Sequence, residues 1–96
     1  MITINDIRKR REEILDLAKK HGAQNVRLFG SVVRGENTDQ SDIDFLVKMT
    51  CGASLLDRIA FSNKLEDMFH TKIDVVNEKA LHYTLKKKIL SQGVEL

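Results

Sequence analysis

The sequence predicts an α/β (α+β) fold, a small mixed β-sheet of about three strands with helices packed on it, in the order α-β-β-α-β-α. Three observations carry this. Residues 4–21 repeat apolar side chains at helical spacing. Three short runs, 26–29, 43–47 and 72–76, are apolar enough for strands and end in glycine or polar residues. Ser54 and Asn77 stand where caps would open two further helices.

In the first helix Ile4, Ile7, Ile14, Leu15 and Ala18 share a face, with Arg8 to Arg11, Glu12 and Lys19 outside it. Thr3 followed by Asp6 resembles a capping box, and Gly22 stands where a helix stops. Val26–Phe29 then runs as a strand into Gly30–Ser31, and Ser31 opens a helical turn over Val32–Val33. The segment 34–41 is too polar for a core and reads as an ordered loop. Ile43–Val47 is the second strand, antiparallel to the first across that short loop. The second helix points Leu55, Ile59, Leu65 and Phe69 at the core. Lys72–Val76 follows as a strand parallel to the second, and a long third helix runs from Glu78 to about Leu90.

Ninety-six residues make room for one domain, spanning 1–96. Sixteen Lys and Arg against fourteen Asp and Glu leave a formal charge of +2, too little for a nucleic-acid-binding coat. The basic runs 8–11 and 86–88 read as solvated helix faces, the first balanced by Glu12, Glu13 and Asp16. A lone cysteine, Cys51, forms no internal disulfide, as expected in the cytoplasm. No apolar run approaches the roughly 20 residues of a membrane span.

Three polar features break the strand pattern. Gly30–Ser31 follows a strand directly, and a turn with outward N–H groups makes an anion site. Arg34 adds positive charge beside it. Asp42 and Asp44 lie two apart on a strand and so share a face, with Ile43, Phe45 and Val47 on the other. Two such charges about 4 Å apart repel by about 1 kcal/mol in water and about 4 kcal/mol at an effective dielectric of about 20. Asp74 interrupts an apolar strand and joins the pair if that strand lies alongside. An all-oxygen trio suits magnesium or manganese rather than zinc. Two such ions about 4 Å apart stabilise a phosphoryl displacement, so the set points to phosphoryl or nucleotidyl transfer.

These residues resemble a known family. Leu28-Phe-Gly30-Ser31-Val-Val-Arg34-Gly35 followed by Ser41-Asp42-Ile-Asp44-Phe-Leu-Val is similar to the DNA polymerase β-like nucleotidyltransferases. Chain size and the Arg-Gly after Gly-Ser point to their minimal branch, the MNT-domain antitoxins of the MntA type. The resemblance implies that Gly30, Ser31 and Arg34 bind the nucleotide and that Asp42, Asp44 and Asp74 hold two Mg2+ ions, or Mn2+. It also implies that Asp74 activates the attacking hydroxyl. The implied partners are ATP and a cognate HEPN-domain ribonuclease toxin, whose tyrosine would accept AMP.

Other motifs fail on particular residues. Gly30-x-x-x-x-Gly35 continues into Glu36-Asn37, where a Walker A loop needs Lys and Ser or Thr. An EF-hand needs glycine where Asp42 stands. His21, His70 and His82 lack metal-site spacing. The competing reading is a non-catalytic antitoxin that covers its toxin, and it gives no reason to cluster repelling carboxylates.

Overall fold

Thr3 and Asp6 close the capping box at the head of the chain: Thr3 N–H donates to Asp6 Oδ2 (2.8 Å) and Asp6 N–H to Thr3 Oγ1 (3.3 Å). In this computed structural model, which describes residues 1–96, the cap opens α1 (Ile4–Lys9). One long helix is expected from 4 to 21, but the segment is broken: α2 (Arg11–Lys20) starts after Arg10, at φ −107° and ψ 22°. Arg10 turns inward there. Its guanidinium donates to Met68 O (2.8 Å), lies 5.4 Å from the Phe69 ring centroid and pairs with Glu13 (2.8 Å). Tertiary contact overrides local propensity at that residue.

The chain then alternates β1 (Ala23–Phe29), a helical turn α3 (Ser31–Arg34), β2 (Ile43–Met49), α4 (Leu55–Phe69) and β3 (Ile73–Asn77). Ser54 and Asp57 cap α4 reciprocally, with Ser54 N–H to Asp57 Oδ2 at 2.8 Å. Asn77 caps, as expected, but it opens only a 3-10 turn, Glu78–Ala80. The backbone is extended at Leu81 and His82, and α5 (Tyr83–Gln92) starts on a second cap, His82 Nδ1 accepting from Thr84 N–H (3.3 Å). A short fourth strand, β4 (Val94–Glu95), completes the order.

The sheet therefore has four strands, ordered β3-β2-β1-β4, against about three expected. β1 and β2 are antiparallel and β2 and β3 parallel, as the connections require. β4 pairs with β1, Leu28 opposite Val94. Two residues give too little periodicity to be seen in a sequence.

One face of this sheet is dry. Val26, Leu28, Phe45, Val47, Ile73 and Val75 pack with Ile7, Ile14 and Ala18 from the first two helices and Phe61 and Leu65 from α4. Leu55 and Ile59, expected in that core, are instead 61% and 42% exposed. The inward register of α4 runs through Phe61 and Leu65, one helical turn apart, which turns Leu55 and Ile59 to the outside. Leu46 is fully buried yet outside this cluster, because alternation along β2 turns it to the opposite face. That opposite face carries the carboxylates.

Candidate active site

β3 is an edge strand, and α4 ties it down from outside. Arg58 donates to Val75 O (2.7 Å) and the Ser62 hydroxyl to Ile73 O (3.1 Å), covering carbonyls an open edge would leave bare. At its inner side Ile43 N–H donates to Lys72 O (3.0 Å). Held from both sides, β3 aligns with β2 so that Asp74 stands directly beside Asp44, and Ile73 beside Ile43. The period of two places Asp42 on the same face as Asp44. The structure thus brings together the three carboxylates that the sequence singled out. Asp42 and Asp44 are partly buried, whereas Asp74 is exposed.

Across β2, the neighbour of Asp44 is Phe29, the last residue of β1. The next residue, Gly30, has φ 76° and ψ −152°, a conformation open essentially to glycine. A methyl group there would land on the Asp44 carboxylate. The glycine is thus required both for the turn and for the closeness of the acid. α3 follows at once, with Val33 and Arg34 N–H donating to Gly30 O (3.2 and 3.4 Å). The leading N–H groups of such a turn have no carbonyl partner within it and suit an anion. Gly35, at φ 71°, ends the turn. A cleft of about 350 Å³ opens here, lined by Gly30, Val33, Arg34 and Gln92.

The loop to β2 is ordered, as expected, and its own polar side chains tie it down. Asn37 is buried and donates to Ile2 O (2.7 Å), while Thr38 N–H bonds Ser41 Oγ (2.9 Å). The turn thereby delivers Asp42 to its place.

Electrostatics set Asp44 apart. Burial first, then the facing charges of Asp74 and Asp42, push its carboxyl up to about 6; Arg34 pulls weakly the other way. Arg34 is itself held by Glu36, Nε to Oε2 at 3.0 Å. Lys72, which the sequence reading passed over as a strand end, places its ammonium 4.0 Å from Asp42 Oδ2. The signal for it was present in the alternation: residue 72 shares a face with residue 74.

The set suits a hard divalent cation. It offers only oxygen donors, and Asp44, raised first by burial and then by Asp74 and Asp42, sits beside like charges that a cation would relieve. No three acidic, His or Cys side chains are drawn close enough to form a ready-made cage. Magnesium accepts such an open site, because it keeps water ligands and takes oxygens from substrate phosphates.

The profile of the family described as "Polymerase beta, Nucleotidyltransferase" matches residues 12–96. The chain belongs to this family. As a nucleotidyltransferase it is an enzyme, and its relatives agree with that class. It is 35% identical over 95 residues to a candidate protein adenylyltransferase of Methanocaldococcus jannaschii, covering 99% of both chains. To the protein adenylyltransferase MntA of Thermococcus cleftensis it is 32% identical over 99 residues, covering 98% of this chain and 96% of the relative. A solved structure described as a candidate minimal nucleotidyltransferase superposes with a TM-score of 0.90 at 38% identity, covering 99% of this chain and 97% of that one. A chain of a toxin–antitoxin complex containing MntA superposes at 0.72 with 26% identity, over 90% of this chain and 70% of that one. The nucleotidyltransferase fold expected from the sequence is therefore the fold observed, and no helix is long and apolar enough to cross a membrane.

Proposed function

We propose that this nucleotidyltransferase is the antitoxin of a HEPN/MNT toxin–antitoxin pair and transfers AMP from ATP to a tyrosine hydroxyl of its HEPN ribonuclease toxin, in the cytoplasm and as a single minimal domain. The observation that carries the reading is the placement of Asp44, flanked by Asp74 on one strand and by Gly30 on the other. An acid pair and an anion-binding turn meet at one carboxylate, and relatives of this chain are named for protein adenylylation.

The residue roles follow from position. Gly30 and Ser31 present backbone N–H groups to the triphosphate, and Arg34 adds its charge from the same turn. Asp42, Asp44 and Asp74 would hold two divalent ions, magnesium or manganese, whose charge offsets that on the transferring and leaving oxygens. Asp74, on the flank away from the phosphate turn, accepts the proton of the incoming tyrosine hydroxyl. The hydroxyl oxygen then bonds to the α-phosphorus, the bond from that phosphorus to the bridging oxygen breaks, and pyrophosphate leaves in line. Asp44, pushed up to about 6, is ionised at neutral pH and becomes more so when a cation approaches. Nucleic acid has no direct part in this reading.

The experiment uses the chain, a co-expressed HEPN toxin, Mg2+ and ATP labelled at the α-phosphate. Label bound covalently to a toxin tyrosine, and absent when chelator is present from the start, is the expected result. Toxin neutralised without any label supports the covering antitoxin instead.

A further inference from the structure

We propose that the Lys72 ammonium is the counter-ion of Asp42 in the nucleotide-free protein, and that it competes with a divalent ion for that carboxylate. The proposal rests on the nucleotidyl-transfer reading above and adds how that site is kept before substrate arrives.

Its basis is positional. Lys72 opens the segment that becomes β3, and its carbonyl is fixed by Ile43 N–H at 3.0 Å. Two residues on, Asp74 faces the same way, so the ammonium rises on the carboxylate face. Nζ lies 4.0 Å from Asp42 Oδ2, and this is the ion pair either residue makes. The other cation near the carboxylates, Arg34, is turned to Glu36 and stands on the opposite flank, because β2 lies between β1 and β3.

The pair is loose by construction. Side-chain exposures of 75% for Lys72 and 41% for Asp42 leave both groups hydrated, so the contact breaks easily. That suits a place-holder. It offsets the charge of Asp42 while no metal is present, and it yields when a doubly charged ion brings phosphate oxygens with it. The open spacing of the three acids points the same way, since they form no closed cage for a bare ion. Lys72 is therefore a positioning residue, and it weakens binding of the ion alone more than binding of the ion with nucleotide.

The test is a calorimetric titration of Mn2+ into the full chain, with and without AMP-PNP, for the parent, Lys72→Ala and Lys72→Arg. Lys72→Ala is expected to tighten nucleotide-free Mn2+ binding about fivefold at low salt, the size expected of one hydrated charge about 4 Å away. The gain should shrink when AMP-PNP is present, and Lys72→Arg should match the parent. Equal affinity of Lys72→Ala and the parent without nucleotide overturns the competition alone. Failure of the parent to bind Mn2+ even with AMP-PNP overturns the nucleotidyl-transfer reading and the competition with it.

Discussion

Replacing Asp42 and Asp44 together by Asn is expected to lower AMP transfer by at least about a thousandfold while leaving the metal-free protein no less stable than the parent. The amides keep the volume of the acids and lose the charge that would hold the proposed ions. The stability half follows from Asp44, whose carboxyl rises from an ordinary 3.8 to about 6 on folding. Between those values the folded chain binds more protons than the unfolded chain. Stability of the metal-free parent therefore falls as pH rises from about 4 to about 6, and the penalty is complete above that window. Its size is on the order of 2 kcal/mol, allowing for the partial exposure of the group. Melting curves in chelator across that range should show the parent losing stability relative to the double variant as pH rises. A variant that melts well below the parent at neutral pH contradicts the electrostatic account. Unchanged labelling of the toxin contradicts the catalytic one.

Gly30→Ala carries the second large effect, and it acts on stability and activity together. At φ 76° and ψ −152° any side chain is strained by about 1–3 kcal/mol. The new methyl group also meets the Asp44 carboxylate, so either the phosphate turn or the acid must move. A displacement of about 1 Å in such a site costs about a hundredfold in rate. Gly35→Ala is the control. Gly35 also has a left-handed φ of 71°, but a methyl group there meets nothing within 4 Å. It should lose about 1 kcal/mol and keep its activity. Equal activity losses in the two variants would show that strain alone, and not the approach of Gly30 to Asp44, matters.

Much of the site was legible because its residues violate the pattern around them. Asp74 is a charge in an apolar strand, Asp42 and Asp44 occupy one side of a strand whose other side is core, and Gly30 stops a strand abruptly. What joins them is register, and register depends on contacts distant in sequence. Pairing of β2 with β3 aligns Asp74 with Asp44, and Arg58 and Ser62 hold the outer edge of β3, yet neither residue looks special in a sequence. Likewise the break at Arg10 comes from Met68 O and the Phe69 ring, 58 residues away for the hydrogen bond. α4 was misread at its first turns for a simpler reason. Leu65 and Phe69 lie against the core as the stripe predicts, but Leu55 and Ile59 fit that stripe as well as Phe61 does, and only the docking angle decides that Phe61 is covered. β4, two residues long, exists because β1 offers it an edge.

The most direct test is a crystal structure of the chain grown with AMP-PNP and Mn2+, read by anomalous scattering. The account predicts anomalous density between the carboxylates of Asp42 and Asp44, with Asp74 facing the same ions and the triphosphate on the N–H groups after Gly30. Manganese bound elsewhere, or nucleotide seated away from the Gly30–Ser31 turn, would contradict it.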